Sequence, residues 1–342
     1  MHCVLAVDGG NTKTIALIAG LDGTVLGVGR SGCTDIYNAT SDDNEADSAE
    51  QVALANFDAA VMTALGAAAV EPADLEVGVL NMAGADWPED LAFWQKAATA
   101  RGLGRRVISQ NDALGVLYAG SPDATGVSIV CGTGAATGAR SPDGRVWHSS
   151  FWQDEAQGST HLGQKALFAV YRAELGIGPP TSLTGRILQY FGVESVEEVL
   201  HLYHNRLRPA PVSVDHLTPM LLDEAHAGDL VAQRVVQEHG AALGDIAIVA
   251  ARRVGIEELA YPLVLAGGVF RHPTTLLQES IVERVAGVSP AVRLIRSPHE
   301  PIVGVLLEAL LAAGVEIDEA LQSHLLASIP ASELIGTPAF HP

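Results

Sequence analysis

The chain carries one strand-and-turn plan twice, and that repeat narrows the folds open to it more than any bulk property does. Residues 4–29 read as an apolar strand, Val4-Leu5-Ala6-Val7, then a polar glycine turn, Asp8-Gly9-Gly10-Asn11-Thr12-Lys13-Thr14. A second strand runs from Ile15 to Ala19, a tight turn follows at Leu21-Asp22-Gly23-Thr24, and a third strand starts at Val25. Residues 127–147 keep the same order. Val127-Ser128-Ile129-Val130 leads into Cys131-Gly132-Thr133-Gly134-Ala135-Ala136-Thr137, a short strand, the turn Ser141-Pro142-Asp143-Gly144, and Arg145-Val146-Trp147. A strand ending in Gly and Thr exposes backbone N–H groups and hydroxyls, which suit phosphate oxygens. Two such hairpins predict two related lobes gripping one polyphosphate.

The intervening pattern alternates strands and helices. After an acidic loop at 41–47, Val52, Leu54, Phe57, Val61 and Leu65 fall at helical spacing. A buried strand over 76–84 ends in small residues, and a helix begins at Pro88 and continues to Ala100. A short strand at 106–109 ends at Gln110-Asn111-Asp112-Ala113, and a helix is expected over 113–119. Past the second hairpins come a polar loop at 149–161 and helices through most of 162–260, the strongest from Asp229 to Arg253. A strand over 261–266 delivers Gly267-Gly268-Val269, followed by a helix at 274–286, a strand at 292–295 and a helix at 302–313. The tail beyond Ile329 is unassigned. The order predicts an α/β fold, sheets layered with helices. At 342 residues, two domains are expected, residues 1–115 and 116–342, with the end of the chain free to pack back on the first.

Composition removes several function classes. Forty Asp and Glu against twenty Lys and Arg give a formal charge of −20, which disfavours nucleic acid and anionic membranes as partners. Cys3, Cys33 and Cys131 are widely spaced and support no disulfide framework, zinc knuckle or iron–sulfur cluster within the chain. No leader is expected, nor an uninterrupted apolar run of roughly the 18 residues a membrane span needs, so the chain reads as soluble and cytoplasmic.

Three positions could carry chemistry. Asp8 at a strand's C-terminal end can bind Mg²⁺ directly or through water, and Thr12, Lys13 and Thr14 can donate to a phosphate. The alternative is an ordinary glycine turn, and the loop is not a Walker A sequence. Asp112 follows a short strand, where a carboxylate can take the proton of an attacking hydroxyl, or where Asn111-Asp112 can simply cap the next helix. Gly267-Gly268 is a third glycine turn past a strand. His201 and His204, three apart on an expected helix, read as a solvated face.

Taken together, the first loop, Asn111-Asp112-Ala113, Cys131-Gly132-Thr133-Gly134-Ala135 and Ala266-Gly267-Gly268-Val269-Phe270 resemble the BadF/BadG/BcrA/BcrD-type ATPases of the sugar kinase/Hsp70/actin superfamily, and among them the N-acetylglucosamine kinases. The resemblance runs over roughly residues 4–313, including a closing helix at 298–310. It implies two ribonuclease-H-like lobes with ATP and Mg²⁺ between them. It would place Asp8 at Mg²⁺, and Gly10, Asn11, Thr12, Lys13, Gly132, Thr133 and Gly134 at the phosphates. Gly267 and Gly268 would then meet adenosine. Asp112 would be the base acting on the 6-hydroxyl of glucosamine or N-acetylglucosamine, and a homodimer is the family tendency. Near the sugar it implies Thr34, Asp35, Asp86, Asn111 and one or both of Asp154 and Glu155.

Two stretches depart from that pattern. The Gly-rich sugar loop of the kinases is replaced by the shorter, glycine-poor 147–159, which leaves open whether Asp154 or Glu155 contacts the sugar. Gly32-Cys33-Thr34-Asp35 carries Asp where the family tends to have Asn, and a carboxylate suits a cation better than an amide does. Asp35, with Asp86, therefore points to an unacetylated amino sugar. Other readings are an ATPase that activates a partner enzyme, for which Cys131 lacks a second cysteine nearby, and a non-catalytic sugar sensor.

Overall fold

The computed structural model describes residues 2–40, 47–121, 123–154, 156–297, 299–329 and 336. Most of the acidic loop, Glu155, Pro298 and all of the tail past Ile329 except Gly336 lie outside the described residues.

Cys3 to Val7 have no exposed surface, as expected of a strand covered on both faces. This strand, β1 (Cys3–Gly9), is central in a five-stranded sheet ordered β3-β2-β1-β4-β5. Antiparallel β2 (Thr14–Gly20) and β3 (Val25–Ser31) complete one side. Helix α1 (Ala49–Ala68) crosses to β4 (Leu75–Met82), parallel to β1, and α2 (Pro88–Ala100) crosses to β5 (Arg106–Asn111), parallel to β4.

Ser48 caps α1 in a reciprocal box with Gln51. By length and hydropathy α1 matches a membrane span, which the sequence pattern did not anticipate. Its inner side is instead buried in this core, with Phe57 and Ala60 fully covered and Phe57 against Trp94 of α2 at 5.4 Å. Close approach of α1 to β3 depends on Gly29, where a Cβ would stand 1.8 Å from the Ala60 carbonyl oxygen.

Two short helical turns, α3 (Asp112–Gly115) and α4 (Leu117–Gly120), replace the single helix expected over 113–119. Beyond them β6 (Gly126–Cys131), β7 (Ala135–Arg140) and β8 (Val146–His148) form antiparallel pairs. Helices α5 (Ser159–Glu174), α6 (Leu183–Phe191), α7 (Val196–His204), α8 (Thr218–Ala227) and α9 (Leu230–Val254) follow. Then β9 (Pro262–Ala266) joins β6 in parallel, and α10 (Leu276–Ala286) leads to β10 (Arg293–Arg296), parallel to β9. The second sheet runs β10-β9-β6-β7-β8, so strand for strand it repeats the first. The duplication read in two hairpins thus extends to both whole sheets.

The last two helices, α11 (Pro301–Ala312) and α12 (Glu319–Ser328), follow the second sheet in sequence but pack on the first. Ile302, Val305, Leu306 and Leu310 cover Val4, Ala6, Ile15 and Leu17, on the sheet face opposite α1 and α2. Helix α12 went unread in the sequence. Gly29→Ala should force α1 off β3 and destabilise the fold by about 2–3 kcal/mol, measurable in a urea melt. An unchanged midpoint would mean that the α1–β3 approach is not tight.

Candidate functional site

Register builds the site. Asp8 of β1 stands beside Asn81 of β4, which stands beside Gln110 of β5, and Met82 pairs with Asn111. Three parallel strand ends therefore set the Asp8 loop, Ala83-Gly84 and Asn111-Asp112 along one edge. In the second sheet Val130 pairs with Ala266, which sets the turns at 132–134 and 267–268 side by side. The two edges face each other across a cleft of about 960 Å³.

The phosphate-loop candidates line one end of it. Gly10 N–H donates to the Lys13 carbonyl (2.9 Å) and the Gly10 carbonyl accepts from Thr34 N–H (3.1 Å), closing the first loop. In the second, Gly132 N–H donates to the Gly134 carbonyl (2.9 Å), and the Gly132 carbonyl accepts from Ser159 N–H (2.8 Å). Gly267 holds φ +108°, and a Cβ there would lie 2.4–2.8 Å from the Cys131 backbone, so only glycine fits this turn. Gly268, Asn11 and Gly134 also line the cleft. Thr12 and Thr133 hydroxyls meet at 2.7 Å and bridge the two loops. Lys13 Nζ reaches Glu300 at 3.5 Å, and Arg271 Nη1 donates to the other Glu300 oxygen at 2.5 Å.

Asp35, Asp86, Asn111 and Asp112 line the wall next to Asp8, and Asp154 also lines the cleft. Asn111, not Asp112, caps the turn: its Oδ1 accepts from Ala113 N–H at 3.1 Å. Asp112 beside it lines the cleft. Asn111 Nδ2 donates to Asp86 at 2.9 Å, while Asp35 accepts from Tyr37 N–H and Asn38 Nδ2, both at 2.8 Å. Thr34 lies elsewhere: it is fully buried under the first loop, where its hydroxyl accepts from Thr14 at 2.9 Å. Glu155 lies outside the described residues.

Concentrating carboxylates in a partly dehydrated cleft disfavours their ionised forms. Burial, then the charges of Asp8, Asp86 and Asp35, push the Asp112 pKa up to about 8. Burial raises Asp8 to about 7 against the opposing pull of Lys13. Asp86 is raised by burial and by its neighbours Asp35 and Asp90. Among the described residues no three His, Cys, Asp or Glu side chains form a metal cluster. Asp8 alone fits a Mg²⁺ that draws its other ligands from phosphate oxygens and water.

Sequence reasoning missed Asp90, Glu300 and Phe151. Buried Asp90 accepts from Trp87 N–H (2.8 Å), Asp86 N–H (3.1 Å) and the Tyr37 hydroxyl (3.1 Å), so it ties Tyr37 to the Asp86-Trp87 backbone. Its signal was the acidic first turn after Pro88. Cys131 is fully buried and burial pushes its thiol up to about 12, which leaves it inert.

The chain is similar to known proteins. The chain is 26% identical over 283 residues to an N-acetylmuramic acid/N-acetylglucosamine kinase of Clostridium acetobutylicum, spanning 82% of this chain and 89% of the relative. It is 24% identical over 318 residues to an N-acetyl-D-glucosamine kinase of Dictyostelium discoideum, spanning 90% and 97%. In three dimensions it is similar to a candidate N-acetylglucosamine kinase from Chromobacterium violaceum, with TM-score 0.63 and 20% identity over 91% of this chain and 99% of that one. It is also similar to a ROK family glucokinase from Streptomyces griseus, with TM-score 0.54 and 16% identity over 90% and 98%. These likenesses identify the fold as that of the actin-like sugar kinases. The model of the BadF/BadG/BcrA/BcrD ATPase family matches residues 5–309, and the chain belongs to that family.

Proposed function

We propose that the chain is an ATP-dependent amino-sugar kinase that passes the γ-phosphate to the 6-hydroxyl of glucosamine or N-acetylglucosamine, with the unacetylated sugar preferred. The observation that carries this reading is the position of Asp112, which lines the cleft with Asp8 on one side and Asp35 and Asp86 as its other charged neighbours, while Asn111 caps the turn. The named activities of the Clostridium and Dictyostelium relatives support it.

Mg·ATP, when bound, supplies the phosphoryl group and the divalent charge that offsets its oxygens. Asp8 would hold the metal. Gly10, Asn11, Thr12 and Lys13 would cradle the phosphates from one side and Gly132, Thr133 and Gly134 from the other, with Gly267 and Gly268 against adenosine. The Thr12 and Thr133 hydroxyls, paired with each other here, are placed to turn to phosphate oxygens instead. Asp112 accepts the proton of the sugar hydroxyl as it attacks, and a carboxylate of raised pKa is the stronger base for that task. Closure of the lobes keeps water from competing with the sugar.

The acceptor end favours a cation. Asp35 and Asp86 line it, and an ammonium on the sugar relieves their mutual repulsion where an acetamide does not. Asp35 is oriented for this by Tyr37 and Asn38.

Three outcomes follow from this site. Coupled ADP release from Mg·ATP should depend on added amino sugar, and Asp112→Asn should lower its kcat about 10³-fold while ATP still binds. Sugar-independent turnover, or a fully active variant, would defeat the kinase reading. Second, kcat/KM should favour glucosamine over N-acetylglucosamine by at least about tenfold, or about 1.4 kcal/mol. The reverse preference would remove the role given to Asp35 and Asp86 and leave the kinase standing. Third, Asp112 should cost the ligand-free fold stability as pH rises. The unfolded chain releases this proton near pH 4 and the fold holds it to about pH 8, so the penalty is absent below pH 4 and complete above pH 8. Asp112→Asn should thus raise Tm by on the order of a few degrees at pH 8.5 and very little at pH 4.5. Equal gains at both pH values would show that the carboxylate is not desolvated.

A further inference from the structure

The 148–154 segment places a large apolar ring where solvent can reach it. Phe151 is 60% exposed, lines the cleft, and belongs to the segment after β8 of the second sheet. Its ring nevertheless meets the first lobe. It stands edge-on to Tyr37, with centroids 5.2 Å apart and planes at 87°, and lies near-parallel to Trp87 at 6.5 Å. Aromatic pairs of this geometry attract each other beyond what area burial alone gives.

Both sides of the contact are held. On the first lobe, buried Asp90 ties the Tyr37 hydroxyl to the Asp86 and Trp87 amides. On the second, Ser150 adopts φ +43°, a conformation that a residue other than glycine rarely takes unless its surroundings enforce it. Its hydroxyl sits between His148 Nδ1 at 2.6 Å and the Asp86 carboxylate. The strained turn therefore holds Phe151 next to Ser150, whose hydroxyl reaches the Asp86 carboxylate. Tyr37 approaches from beside Asp35: a Cβ on Gly84 would meet Asp35 Oδ1 at 2.5 Å and the Tyr37 ring at 3.3 Å.

We propose that Phe151, braced on Tyr37 and Trp87, is a specificity-determining residue that roofs the nitrogen end of the acceptor pocket and limits the size of the substituent an amino sugar carries there. The inference rests on the amino-sugar kinase reading. The carboxylates of Asp35 and Asp86 draw the nitrogen inward, so any acyl chain on that nitrogen grows outward against the ring. Removing the ring opens the path without touching the base, the phosphate loops or the carboxylates.

The test is a series of acceptors, glucosamine and its N-acetyl, N-propanoyl and N-butanoyl derivatives, at saturating Mg·ATP with the full chain, Phe151→Ala and Phe151→Leu. In the unaltered enzyme kcat/KM should fall as the acyl chain lengthens. Phe151→Ala should raise the ratio of N-butanoyl to glucosamine kcat/KM at least tenfold, mainly through KM, with Phe151→Leu between the two. A merely structural ring would lower activity on every acceptor alike and leave the ratio unmoved. An unmoved or falling ratio overturns the proposal while the kinase reading survives. If Phe151→Ala fails to fold, the same ratio in Phe151→Leu decides, read also from calorimetric sugar affinities. No turnover of any sugar by the unaltered enzyme would overturn the kinase reading and this role with it.

Discussion

The parallel register of β1, β4 and β5 is the constraint on which the rest of the site depends. Because Asp8, Asn81 and Gln110 are neighbours across two ladders, the turns that follow the three strands open at one edge. A slip of one residue would turn every side chain to the opposite face of the sheet. The same device is repeated in β6 and β9, where Val130 beside Ala266 brings two glycine turns together. The candidate chemical groups thereby stand at rigid strand ends.

What holds the two sheets in relation is a polar layer away from the cleft. Gln110 of β5 donates to Glu308 of α11, and Arg140 of β7 donates to the Tyr118 hydroxyl at 2.6 Å and to the Gln110 amide oxygen at 3.2 Å. Burial pushes Glu308 up to about 7 although Arg140 favours its charge. One connected set of side chains thus joins the first sheet, the second sheet and the returning helix. A layer of directional bonds specifies one arrangement more sharply than an apolar seam would. Helix α11 is central to it, with one side on β1 and β4 and Glu300 at its start reaching Lys13 and Arg271.

Much of this was legible in the sequence, for physical reasons. Fully buried strands read as unbroken apolar runs, and the glycines at their ends mark close backbone approach, so both hairpins and both loops could be found one residue at a time. Asp112 was ambiguous, since a carboxylate after a strand can be a cap or a base; the Asn111 bond to Ala113 assigns the cap to its neighbour. Thr34 faces inward to Thr14, which no local pattern could reveal. The break in the helix expected over 113–119 coincides with Gly115 packed against Asn81, a contact between distant segments. Glu300 and Phe151 matter only through partners across the fold, and a pattern read along the chain is blind to them; Asp90 shows in the sequence only as part of an acidic first turn, with its bond to Tyr37 hidden. Helix α12 has a short apolar face that gains meaning only against β2 and α11.

The central claim is that two register-aligned loops and one carboxylate direct a phosphoryl group to the 6-hydroxyl of an amino sugar and not to water. The most direct test follows the fate of that group by ³¹P NMR, with Mg·ATP, glucosamine and the full chain in one tube. The account predicts a new phosphomonoester resonance, coupled to the two protons on C6, growing in step with ADP. Inorganic phosphate alone, or an ester coupled to C1 or to another ring proton, would contradict it.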